Sequence, residues 1–284
     1  MASELIGSFV ITLREALEAA LITAVILTVL RKTGRLSLTK YVYLGILVSV
    51  VFGIATGSLV WSLYKGFPEK ALFEAVSSFI AVALLTTLIY WMARTGPRLT
   101  WEISQKVSLI TTGAGLLAFT IIIVYREVLE TVLMIAPYTF KNPLASVVGL
   151  SIGVMAALGI AYMIYVLGYR VNLRRFFMMT SVLLVFIASG ILGYGMHELA
   201  ELVEEKGIYD GFLIEKAYNL GLDSDNPLHH KGVIGSILAV LFGYSTSMEW
   251  MRLIAQGSYV AIGLAVVIRA YGIKISIPRP SSPS

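Results

Sequence analysis

Apolar runs of about twenty residues recur along this chain, and each is long enough to cross the hydrocarbon core of a bilayer as a helix. No other feature narrows the fold so far. In lipid every backbone N–H and C=O must be satisfied within the protein, which leaves only helices and closed barrels. The runs are continuous rather than alternating, and this excludes a barrel. Composition agrees: of 284 residues, 57% are hydrophobic and 14% charged, against about 25% charge in a soluble domain. The predicted fold class is an all-α polytopic membrane protein. There is no Cys, so disulfides, thiolate metal sites and cysteine nucleophiles are excluded.

Seven transmembrane helices are expected, over residues 4–30, 41–64, 71–93, 107–136, 144–168, 176–202 and 249–270. The connections carry the orientation. Loop 31–40 holds Arg31, Lys32, Arg35 and Lys40, loop 94–106 holds Arg94, Arg98 and Lys106, loop 169–175 holds Arg170, Arg174 and Arg175, and the tail holds Arg269, Lys274 and Arg279. The alternate connections are poorer in Lys and Arg. The positive-inside rule then places the N-terminus outside and the C-terminus inside. The net charge of +5 belongs to these helix ends and implies no nucleic acid. The whole chain, 1–284, is expected to be one transmembrane domain: repeat one at 1–93, repeat two at 107–202, an external loop at 203–248, the seventh helix at 249–270 and a disordered Pro/Ser-rich tail at 275–284. Within the loop, Gly232 to Tyr244 is apolar but too short to span, and reads as re-entrant or interfacial.

Two of the apolar runs are interrupted in the same way. Leu13-Arg14-Glu15-Ala16-Leu17-Glu18 lies in the first, and Tyr125-Arg126-Glu127-Val128-Leu129-Glu130 in the fourth. Charge in the middle of a spanning helix is expensive and marks function by default. The copies open spans one and four, so spans one to three and four to six read as two three-helix units. An odd number per unit makes the second unit an inverted copy of the first, a common transporter plan. In each motif the two Glu are three apart and share a face, and each Arg can pair with the Glu four residues on. At the helical rise, Glu15 and Glu127 both lie roughly 15 Å below the outer surface. If the helices cross, Glu15, Glu18, Glu127 and Glu130 converge beside Arg14 and Arg126. Four acids against two Arg leave an excess negative charge that needs a proton or a cation. Such an oxygen-rich cage suits Ca, Mg, Mn or ferric iron better than Cu(I). The bland alternative is a set of neutralised ion pairs locking two helices together.

This paired Arg-Glu-x-x-Glu pattern resembles the hallmark of the iron permeases of the yeast high-affinity uptake type, the oxidase-dependent iron/lead transporter family, and of its prokaryotic members. The resemblance extends to Leu72-Phe73-Glu74-Ala75, to Ala81 through Thr86, to Tyr90-Trp91-Met92, to Gly195-Met196-His197-Glu198-Leu199 and to Leu241-Phe242-Gly243-Tyr244. One departure is that the usual Gly after Arg-Glu is Ala16 in one copy and Val128 in the other. The resemblance implies an iron transporter that imports iron, with the acids of the two motifs as iron-binding residues. Iron is then a transported substrate and no cofactor is implied; an external oxidase or iron-delivery protein is the implied partner. The location expected is the cell membrane, with lipid around the chain and an oligomer allowed. No enzyme activity is expected. Paired Glu-x-x-His motifs would favour a di-iron enzyme, and neither copy has that His. The alternatives are an importer of another cation such as lead or manganese, a carboxylate-metal membrane enzyme, and a receptor or structural protein.

Further acids sit toward the outer helix ends. Glu74 reads either as an interfacial residue or as part of an access path. His197 and Glu201, four apart with Glu198 beside them, have metal-ligand spacing, and equally suit a helix-end hydrogen-bonding cluster. Asp223, Asp225, His229 and His230 read as a solvated loop. Glu249 and Arg252 read as an interfacial pair. Gly149, Gly153, Ala156, Ala157 and Gly159 suggest close packing of the fifth helix. Together the outer acids form a mouth of negative potential that gathers cations.

Overall fold

The computed structural model describes residues 2–165, 173–208, 211–222, 226–229 and 233–272. Arg170, Asp223, Asp225, His230 and the tail 275–284 lie outside the described residues. Among the described residues eight helices follow in chain order: α1 (Ala2–Lys32), α2 (Thr39–Gly66), α3 (Lys70–Leu109), α4 (Gly113–Lys141), α5 (Pro143–Tyr165), α6 (Leu173–Glu205), α7 (Val233–Phe242) and α8 (Trp250–Tyr271). A single 3-10 turn, Leu36–Leu38, joins α1 to α2. Strands β1 (Lys216–Asn219) and β2 (Ser247–Glu249) pair antiparallel, with Lys216 opposite Glu249 and Asn219 opposite Ser247. This ribbon is a small β addition to an otherwise all-α protein.

Five helical stretches are long and apolar enough to cross a membrane: Leu36–Gly66, Lys70–Met92, Pro143–Met163, Met178–Glu205 and Trp250–Tyr271. The chain is a multi-pass membrane protein. The helices α1 and α4 have 31 and 29 residues, length enough to span, but their charged motifs depress their apolarity. The apolar piece at 232–244 contains the ten-residue helix α7, which ends at Gly243 with φ of 65°. That left-handed conformation favours glycine and stops the helix.

Two boundaries differ from the sequence expectation: α3 runs on past 93, and the fourth helix begins at Gly113 rather than 107. Residues 94–106 are not a loop; α3 continues through Gly96-Pro97 to Leu109. Burial explains the extension. Ile103 and Val107, four apart on one face, are buried with Ile22, Ile26, Leu30, Val42 and Leu116 in a core joining α1, α2, α3 and α4. That contact outweighs the local breakers. Similarly, α4 runs past Pro137 to Lys141.

The two apolar cores position the motifs. The second core, toward the other end of the bundle, contains Ile11, Leu85, Met134, Ile135, Leu184 and Ile191, with α8 adding Val267 and Tyr271. Along α1 the order is Ile11, then the motif, then Ile22. Along α4 it is Leu116, then the motif, then Met134. The helices therefore run in opposite directions, and both motifs lie in one layer between the two cores. Two glycines let α5 press against α1: a Cβ at Gly149 would strike the Leu5 carbonyl, and one at Gly153 would lie 2.9 Å from the Phe9 carbonyl oxygen. Gly159 faces open space and takes no part in that close packing.

Candidate metal centre

The first motif is wholly buried. Arg14, Glu15 and Glu18 are 1%, 1% and 2% exposed. Arg14 Nη1 donates to Glu15 Oε1 at 2.6 Å, and Nη2 lies 2.8 Å from Glu18 Oε1. Spacing alone suggested only the second pair. The fork of the guanidinium reaches both acids because it presents donors along two edges. In the second motif Arg126 Nε donates to Glu130 Oε1 at 2.7 Å. The Arg126 guanidinium lies 5.0 Å from the centre of the Trp91 ring on α3.

Glu15, Glu127 and Glu130 each offer an oxygen such that all three lie within 4.8 Å of one another, the one such group of acids among the described residues. Glu18 stays in the layer but turns to Arg14. Glu15 Oε2 and Glu127 Oε2 are buried and meet no hydrogen-bond donor among the described residues. Buried carboxylate oxygens without donors are costly. Three convergent carboxylates are a donor set of the kind that oxygen-liganded cations take.

A cavity of about 540 Å³ reaches this group from the end of the bundle where α1 begins and α4 ends. Its floor is α1 and α4, with Glu15 and Glu127 in it, and its sides are α2 and α5. The Val128 side chain, in place of the usual Gly, points at α2 rather than α1. It packs against Gly53, where a Cβ would collide with Val128 Cγ1. The bulk of Val128 is thus accommodated by a glycine on α2.

At the same end, the Glu74 carboxylate accepts from Tyr64 on α2 at 2.6 Å and also from Tyr194 on α6. Glu74 is therefore a clasp between α2, α3 and α6. His197 Nδ1 is 2.9 Å from Glu249 Oε1, so its partner is Glu249 rather than Glu201, which is exposed. Burial alone would push the Glu249 carboxyl up, but hydrogen bonds from His197 and from its own backbone N–H hold it below the usual carboxylate range. Sequence reasoning missed Tyr64, Trp91, Tyr194, Thr12 and Thr131. The last two could have been found: Thr12 is three residues before Glu15 and Thr131 four after Glu127, on the same helical faces.

The model of the iron permease FTR1 family matches residues 5–269. The chain belongs to that family. The family is one of permeases, transporters of iron rather than enzymes. Among its relatives is an uncharacterized protein of Archaeoglobus fulgidus, 45% identical over 95% of this chain and 96% of that protein. The ferrous iron permease EfeU of Yersinia pestis is 28% identical over 83% of each chain. The EfeU of Escherichia coli O6:K15:H31 is 27% identical over 83% of this chain and 85% of its own. No solved structure matches.

Proposed function

We propose that this permease imports ferrous iron across the cell membrane through a carboxylate site made of Glu15, Glu18, Glu127 and Glu130, with Arg14 and Arg126 as its counter-charges. The observation that carries the reading is the convergence of Glu15, Glu127 and Glu130 oxygens within 4.8 Å in a layer where acids outnumber Arg by two. The ferrous state is taken from the relatives named ferrous iron permeases. The outer acids Glu74, Glu198 and Glu201, with His197, gather the cation; Glu15 and Glu127 receive it; Glu18 and Glu130 are freed to join as the two Arg pairs loosen.

The proposed frame is seven spans, N-terminus outside, built as an inverted three-helix repeat with α8 added. Two features support it. The motif helices α1 and α4 are antiparallel, as inversion requires. The pairing is also exchanged: α1 packs on α5 and α4 on α2, so the first helix of each unit rests on the second helix of the other.

The test is iron(II) uptake into vesicles reconstituted with purified protein. Glu15→Gln and Glu127→Gln are expected to abolish uptake and to lose iron(II) binding at equilibrium. Wild-type uptake by both variants would overturn the carboxylate site.

A further inference from the structure

The cavity has one polar wall that the carboxylate site leaves unexplained. On α1, Thr12 and Glu15 line it at three-residue spacing, and Ser8, one turn before Thr12, lies buried behind the lining. On α4, Thr139, Thr131 and Glu127 form the facing stripe. Ser146 on α5 closes the upper part. Ser8 Oγ and Ser146 Oγ are 2.8 Å apart, and Ser146 Oγ and Thr139 Oγ1 are 2.9 Å apart. Thr139 donates its one proton to the Ile135 carbonyl oxygen at 3.1 Å. It follows that Ser146 donates to Thr139 and Ser8 to Ser146, because a hydroxyl has a single proton. Each hydroxyl oxygen keeps an open lone pair. Lower down, Thr12 is 2% exposed and its Oγ1 has no hydrogen-bond partner among the described residues. It lines the cavity beside Glu15. Across from this wall, α2 offers Val50, Ile54, Val60 and Trp61, with one hydroxyl at Ser58.

Ordinary helix packing does not account for this pattern. Thr131 satisfies itself on the Glu127 carbonyl at 2.8 Å, but Thr12 makes no such bond. The hydroxyls run in one direction, from the outer end to the acids. The top of the wall lies beside the mouth: Lys141, the last residue of α4, is within electrostatic reach of Glu4, Glu74 and Glu198.

We propose that Ser146, Thr139, Thr12 and Thr131 are the wall along which the cation descends from the mouth to Glu15 and Glu127. Neutral hydroxyl oxygens are hard ligands of the same kind as water. An iron(II) ion can exchange hydration water for them one at a time, without the deep trapping that a further carboxylate would cause. The opposite wall on α2 is mostly apolar, with Ser58 as its single hydroxyl among the lining residues. This inference rests on the carboxylate reading, and its test separates the two.

The chain has no Cys, so introduced thiols report without background. Single variants Thr12→Cys and Ser146→Cys, in sealed vesicles, are treated with a membrane-impermeant cationic methanethiosulfonate. Ser49→Cys, a buried α2 position bonded to the Gly45 carbonyl and outside the cavity wall, is the control. Thr12→Cys and Ser146→Cys are expected to react at least about tenfold faster than the control, with iron(II) slowing the reaction of Thr12→Cys. Thr12→Val should slow uptake about tenfold, the loss of one ligand oxygen, while equilibrium iron(II) binding stays within about twofold. Reaction no faster than the control, or wild-type uptake by Thr12→Val, overturns the route even if Glu15→Gln is inactive. Rapid labelling together with normal transport by Glu15→Gln would overturn the carboxylate reading and leave the route standing.

Discussion

The two Arg-Glu-x-x-Glu copies are the same pattern in different surroundings. In α1, every charged member is buried and the guanidinium holds both acids. In α4, Arg126 is 48% exposed and pairs with Glu130, and among the described residues buried Glu127 makes no ion pair with a basic side chain. The difference comes from the neighbours. The helix α1 runs through the middle of the bundle, against α3, α4 and α5, whereas α4 turns the Arg126 side past the edge of α3 at Trp91. One motif is thus a locked charge cluster, and the other can change its pairing. A transport site needs both: fixed ligands to define it and a movable counter-charge to let the cation in and out.

The largest test of this asymmetry compares the two Arg. Arg14→Gln strands two buried carboxylates and should cost ~3–5 kcal/mol of stability. Arg126→Gln removes a part-exposed pair at helical spacing and should cost only ~0.3–0.5 kcal/mol. Thermal unfolding in detergent reads both, and equal losses would mean the copies are equivalent after all. Next in size is the contact that fits Val128. Gly53→Val should overpack α2 against α4 and cost ~1–3 kcal/mol, with Val128→Ala in the same chain restoring most of it; a lack of rescue would disconnect the two positions. On binding, Glu130→Gln should weaken iron(II) about tenfold, ~1.4 kcal/mol, and Glu18→Gln less, because Glu18 is already committed to Arg14. Titration calorimetry separates them, and the reverse order would make the first copy the looser one. Smallest is Trp91→Ala, which removes the cation–π contact of Arg126, worth ~0.5–1 kcal/mol at such a site. It should leave Arg14-dependent stability unchanged in a double-mutant comparison.

Much of this architecture was legible in the residues. Apolar length marked the helical stretches at 41–64, 144–168, 176–202 and 249–270 within a few residues of helices α2, α5, α6 and α8, and 71–93 matches the apolar first part of α3, Lys70–Met92, because apolar length in lipid leaves the backbone no alternative. The meeting of Glu15 with Glu127 was also foreseen, since depth and helical phase are both periodic properties of a sequence. The extension of α3 through residues 94–106 was not. Gly96 and Pro97 are local stop signals, and only the burial of Ile103 and Val107 against α1 overrides them. His197 was matched with Glu201 by spacing, yet Glu249 reaches it from the far side of a forty-residue loop. No local pattern encodes that contact.

What the sequence alone determined is what depends on period and composition: a helical membrane protein, two charged motifs at equal depth, and more acid than base in one layer. Tertiary structure decided what depends on neighbours. It buried one Arg and left the other at an edge, turned Val128 onto Gly53, and assembled a hydroxyl wall from three helices. Those outcomes turn on which surfaces meet, and a side chain's electrostatic setting is fixed by atoms that are distant in the chain.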